Sequence, residues 1–165
     1  MKTFTWMLIA ALLIAVVPAA AQQAPGKATA AFEKLKSVAG EWETKTPEGK
    51  PARASFELVS AGTVLMQTDH AEGMVTVYHP DRDRLVMTHY CAANNQPRMS
   101  AAPPAGEIKT LTFSFLDATN LAGPADGHMH QMVMTFQDKD HLTQEWTWKS
   151  GQEEKKETFQ FQRKK

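Results

Sequence analysis

From Gly40 onward the apolar residues of this chain recur at every second position, in short runs broken by turn residues. Successive side chains of an extended strand point to opposite faces, so a period of two marks strands with one buried face. Trp42, Thr44 and Thr46 alternate with Glu41, Glu43 and Lys45, and Ala52, Ala54, Phe56 and Leu58 alternate with Arg53, Ser55 and Glu57. Further segments run over 63–69, 74–79, 84–91, 108–116, 128–136, 142–149 and 155–163, with a weaker one at 96–100. Between them stand Pro47-Glu48-Gly49, Ala61-Gly62, Glu72-Gly73, Pro80-Asp81-Arg82-Asp83, Asp138-Lys139-Asp140 and Ser150-Gly151, the residues that hairpin turns require. About ten short strands in up-and-down order must hide their apolar faces in one place, between two sheets or inside a closed barrel. The expected fold is therefore all-β, an antiparallel up-and-down β-barrel. The longer connections 101–107, which contains Pro103-Pro104, and 117–127 are expected to be its mobile loops.

One segment follows a different period. Ala31, Phe32, Leu35 and Val38 recur at three- and four-residue spacing before Gly40, which predicts one short amphipathic helix over 29–39. Its apolar stripe has to cover something. Residues 22–27 are expected as a flexible leader and 28–165 as the barrel domain.

The chain begins with a charged Lys2, an apolar run from Phe4 to Val17, and the small residues Ala19 and Ala21. This is the pattern of an export signal, residues 1–21, cleaved before Gln22. The run is shorter than the ~20 residues a membrane-spanning helix needs. The expectation is an exported, periplasmic or secreted protein with no membrane insertion after cleavage. The 18 Lys and Arg balance 18 Asp and Glu over the whole chain, and loss of Lys2 leaves the remainder one unit negative. That balance argues against a nucleic-acid partner. Cys91 is the only cysteine, so no internal disulfide forms and stability rests on packing.

Period-two alternation puts Leu85, Met87, His89 and Cys91 on one side of a strand, and His128, His130, Met132, Met134 and Phe136 on one side of another. Their apolar company predicts that both sets face inward. A barrel of eight or more strands can hold a small ligand, and methionine with aromatic walls adapts to irregular apolar shapes. The expected ligand-binding residues are Met87, His89, Cys91, His130, Met132, Met134, Gln144 and Trp146. Imidazole, thiolate and thioether donors also suit copper or zinc, which makes His89, Cys91 and His130 candidate ligands of a transition metal. The commoner role of a single inward histidine is a hydrogen-bonded core residue. Asp81, Asp83, Asp138 and Asp140 lie in turns beside Arg or Lys and do not extend to a calcium-loop ligand set. Cys91 near His89 has no orienting acid or oxyanion donor marked beside it, and no nucleophile-elbow, phosphate-loop or dinucleotide motif occurs, so no catalytic residue is assigned.

A short helix leading into Gly40-Glu41-Trp42 on the first strand, followed by a meander of about ten strands, resembles the calycin group of barrels. That group comprises lipocalins, fatty-acid-binding proteins and haem-binding nitrobindin-like barrels. The resemblance implies that Trp42 plugs the closed end and that an arginine of the last strand, here Arg163, packs over its indole. It implies an exported binding protein holding a small, largely apolar molecule. Two alternatives stay open: a haem- or metal-binding barrel using the inward residues His89, Cys91 and His130, and a ligand-free barrel acting as a protein-interaction module; the nitrobindin-like resemblance implies haem held by a late histidine, and the late histidines here are His128, His130 and His141. The stretch from Thr88 to Met99 is similar to one in exported bacterial proteins and implies no particular activity.

Overall fold

The computed structural model describes residues 26–165. The expected export signal at 1–21 and the part of the expected leader at 22–25 lie outside the described residues. One helix, α1 (Lys27–Lys36), precedes ten strands: β1 (Gly40–Lys45), β2 (Pro51–Val59), β3 (Val64–Asp69), β4 (Met74–Asp81), β5 (Arg84–Tyr90), β6 (Gln96–Ala101), β7 (Thr110–Thr119), β8 (His128–Phe136), β9 (His141–Ser150) and β10 (Glu153–Arg163). Each strand pairs antiparallel with its neighbours in the chain, and β1 pairs with β10 to close the barrel. The expected up-and-down all-β architecture is the one observed.

The helix starts two residues earlier than 29 and stops at Lys36, so Lys27 belongs to it and not to a leader. Its apolar stripe nonetheless continues to Val38, because Ser37, Val38 and Ala39 donate backbone bonds to carbonyls three residues back, at 3.1 Å each. A tighter turn thus extends the stripe after the α-helical geometry has ended. Ala28, Ala31, Phe32 and Leu35 are buried against one end of the barrel. Burying such a stripe gains roughly 25 cal/mol per Å² of apolar area.

Two irregularities shape the other end. β7 runs to Thr119, three residues beyond Leu116, because Asp117 pairs with Arg98 of β6 and Thr119 donates to the Gln96 side chain. The connection after it is therefore 120–127, not 117–127. It is tied down by Asp126, which accepts from the backbone of Ala122 and Gly123, and by Asn95, which donates to the Gly127 carbonyl at 2.9 Å. In β8 the register with β9 shifts between Met129 and Gln131, leaving His130 as an extra residue. A bulge of this kind breaks the alternation of faces that the sequence pattern assumes.

The packed core fills the helix end of the lumen. Leu65, Tyr78, Met87 and Met99 stand opposite one another across β3 to β6, and Leu111, Phe113, Met132 and Met134 continue the layer on β7 and β8. All eight are essentially without solvent exposure. Trp42 lies beneath them beside α1, and its indole N–H donates to the Val38 carbonyl at 2.8 Å. The Arg163 guanidinium sits 4.3 Å from the centre of its ring.

Candidate functional site

One step farther from the helix the lumen stops being apolar. Gln67, Thr76 and His89 are register partners on β3, β4 and β5, one layer above Leu65, Tyr78 and Met87. Across the barrel, Gln144 on β9 faces Gln67. The two amides bond reciprocally: Gln67 Nε2 donates to Gln144 Oε1 at 3.1 Å, and Gln144 Nε2 donates to Gln67 Oε1 at 2.9 Å. Tyr78 donates its hydroxyl to Gln67 Oε1 at 2.8 Å, and Trp146 donates its indole N–H to Gln144 Oε1 at 3.2 Å. Both amide oxygens therefore accept two bonds and are saturated. Burial pushes the Tyr78 phenol above its usual range, so it stays a donor.

Above this polar floor lies a cavity of about 260 Å³. Its apolar wall includes Met74, Met129, Trp146, Trp148, Phe159 and Phe161, and its polar points are Gln67, Thr76, His89 and Gln144. Arg53, Asp69, Glu72 and Glu157 supply the charges of the wall. The loop 120–127 closes down on one side, where a Cβ at Gly127 would overlap the Trp148 ring. Only glycine lets the loop backbone approach the indole so closely.

His89 is the polar residue of this wall that the protein leaves incomplete. It is only 4% exposed, and its Nδ1 lies 2.8 Å from the Thr76 hydroxyl. Its Nε2 is buried and has no hydrogen-bond partner among the described residues. The imidazole packs on Trp146, with ring centres 4.8 Å apart. Burial lowers its pKa to about 4, so the ring is neutral at physiological pH. A buried polar atom without a partner costs roughly 1–3 kcal/mol, and native structures seldom keep one without a reason.

Of the eight residues expected to bind a ligand, His89, Cys91, Gln144 and Trp146 line the cavity. Met87, Met132 and Met134 do not; they belong to the packed layer beneath the floor. Neither does His130, because the β8 bulge gives its place in the wall to Met129. His130 instead stacks on Phe115, ring centres 5.2 Å apart, and its Nδ1 lies 3.2 Å from His128 Nε2. The candidate metal donors His89, Cys91 and His130 are thus not brought together. Among the described residues no three His, Cys, Asp or Glu side chains are grouped to hold a metal ion. Asp81 is bonded to Arg84, and Asp138 accepts from His141 and from the Asp140 backbone. Burial also raises the Cys91 pKa, which keeps it a thiol.

Gln67, Thr76 and Met74 were not among the expected site residues. On β4 the pattern misleads, since Val75 and Val77 are the more apolar pair while Thr76 is the buried one. Gln67, between Leu65 and Asp69 on the inward phase of β3, carried a readable signal: a polar residue among core positions needs a partner.

A second, shallower groove of about 970 Å³ runs along the outside where β1 and β10 part. It shares Thr44, Thr46, Pro47, Ala52, Arg53 and Ala71 with the cavity. The deeper, aromatic-walled cavity is the better candidate for recognition, because its mostly apolar lining removes a ligand from water. No protein-family model matches the chain, and a search of curated proteins finds no match to it.

Proposed function

We propose that this protein is an exported, calycin-like binding barrel that holds a small, largely apolar molecule in the cavity at its open end, without turnover. The observation that carries the reading is the cavity itself: aromatic walls around about 260 Å³, above a polar floor whose amide oxygens are saturated. Small-molecule sites have this form, mostly apolar with few placed polar groups. The Gly40-Glu41-Trp42 start, with Arg163 over the indole, supports the calycin kinship. Export is supported by Lys2, the apolar run to Val17 and the Ala19-x-Ala21 pattern.

Native mass spectrometry of protein taken from its own host should show a co-purifying small molecule. In vitro, N-phenyl-1-naphthylamine should bind at one site per chain and quench tryptophan emission, since Trp146 and Trp148 are in the wall. Cys91→Trp, placed at the half-buried rim of the cavity, should abolish that binding and leave the barrel folded. A folded protein that binds no dye, with or without the substitution, would overturn the reading.

A further inference from the structure

We propose that the seam between β1 and β10 is a docking slot for a short extended peptide, which pairs with the open edge of β10 and carries polar and small apolar side chains in alternation. This docking is independent of whatever fills the cavity. β10 is 11 residues long, yet its ladder with β1 holds two aligned pairs, Trp42 with Arg163 and Glu43 with Gln162. Along the rest of its length that side of the strand has no ladder partner among the described residues.

The direction of the backbone groups is fixed by bonds on either side of the break. N–H and C=O groups of successive strand residues point to opposite neighbours. The Lys164 N–H donates to the Glu41 carbonyl at 2.9 Å, and the Gln160 carbonyl accepts the Thr44 hydroxyl at 2.8 Å in place of a backbone donor. Even-numbered residues of β10 therefore turn their backbone toward β1, and Thr158 and Lys156 do so without a ladder partner. An edge of this kind is a template for another chain. Its first part is guarded by the charged run Glu153 to Glu157, as native edges are, but the run stops at Thr158. The Lys156 ammonium is held aside by Glu145 at 2.7 Å.

The groove of about 970 Å³ at this break is lined by Thr44 and Ala52, which share the inward phase of Trp42, and by Glu43, Lys45 and Thr158 of the outward phase. It touches both faces of the wall, as a gap between strands does and a furrow on one face does not. A peptide antiparallel to β10 runs parallel to β1, which has Lys45 alone left to offer, so β10 carries the ladder. Paired residues share a face of the sheet. Peptide residues bonded to Thr158 and Lys156 thus point outward, and those between them point inward, to Thr46, Pro47, Ala52 and Ala71. That lining selects small apolar side chains. Outside, Glu43 stands opposite Arg53 in register while Lys45 stands opposite Pro51, so an acidic outward side chain complements Lys45. In strand addition the main chain supplies affinity and the alternate side chains supply specificity.

The test uses the purified full chain and the peptide Thr-Val-Glu-Val-Thr-amide, labelled with fluorescein on its N-terminal amine and followed by anisotropy. It should bind saturably with Kd below about 1 mM. N-methylation of its glutamate, an outward residue whose N–H meets β10, should weaken binding at least about ten-fold, whereas N-methylation of either valine, whose N–H turns away from β10, should change it less than about three-fold. Thr158→Pro removes an N–H that faces the slot and none that faces β9, so the barrel should fold and affinity should fall at least about ten-fold. Should that variant fail to fold, the methylated peptides decide the matter on the wild-type protein alone. Absence of saturable binding, equal effects of methylation at glutamate and valine, or full affinity in a folded Thr158→Pro would each overturn the proposal.

Discussion

Arg163 and Trp42 are the two residues through which the barrel's last strand grips its first. The guanidinium lies 4.3 Å from the indole centre, and its nitrogens donate to the carbonyls of Ala39 at 2.7 Å, Ser37 at 2.9 Å and Lys139 at 3.0 Å. One side chain thus ties α1, β1 and the β8–β9 turn to a ring that is 1% exposed. Trp42→Ala should cost ~3–5 kcal/mol in urea unfolding, whereas Glu43→Ala on the outer face should stay within about 0.5 kcal/mol. Gly40→Ala should also destabilise, because Gly40 has φ +131° and a Cβ there would lie 2.8 Å from Arg163 Nη1.

His89 should make stability depend on pH. Its pKa is about 4 when folded, against 6.5 for an unperturbed imidazole, so between those values the unfolded chain binds more protons. Stability from this group is whole above pH 6.5 and falls as the pH drops toward 4, by roughly 3 kcal/mol over the full window. All other side chains of the wall remain in both proteins when wild type and His89→Phe are compared. Denaturant melts at pH 7.5 and 4.5 should show that the loss is smaller in His89→Phe.

The amide pair at the cavity floor should be coupled. Gln144→Leu strands the Trp146 indole N–H and removes the Gln67 partner, which should cost about 2–4 kcal/mol. The double variant Gln67→Leu/Gln144→Leu should be less unstable than the sum of the singles, since neither amide is then left alone. Additive losses in a double-mutant cycle would show that the two side chains do not act as a unit.

Met132 separates core from cavity. It is fully buried in the packed layer and does not touch the cavity, so Met132→Ala should lower stability by ~2–5 kcal/mol. Dye affinity, read by fluorescence titration, should change by less than about two-fold, since 1.4 kcal/mol would already be ten-fold. A large loss of affinity would place Met132 in the binding wall after all.

The period of two after Gly40 made the barrel legible, because burying one face of each strand is a cooperative demand that every strand states again. Strand positions agree to within a few residues for the same reason. The site was legible only in part. His89, Cys91, Gln144 and Trp146 sit where unbroken alternation would put them, level with or above the polar floor. His130 does not, since a bulge is a local insertion that leaves no mark on composition, and one residue suffices to change which side chain lines the wall. Met87, Met132 and Met134 face inward as read, yet period says nothing of depth. Whether an inward residue meets packed core or open cavity depends on how far along the barrel axis the register sets it, and register belongs to pairs of strands.

The seam between β1 and β10 has a kinetic consequence. Every other ladder joins strands adjacent in the chain, whereas this one joins opposite ends of the domain and has only two aligned pairs, Trp42 with Arg163 and Glu43 with Gln162. Hairpins between neighbours close small loops quickly, while sealing the cylinder requires the longest loop of all for the fewest bonds. We expect closure to come after the rate-limiting barrier of folding and opening to begin there. Trp42→Phe should then speed unfolding and leave the folding rate nearly unchanged, and the amides of the seam should exchange with solvent before those of β8 and β9. Equal protection of both regions would mean that the cylinder opens elsewhere. A barrel that unzips along one line presents its interior sideways, without disturbing the helix plug at one end or the loop folded over Trp148 at the other.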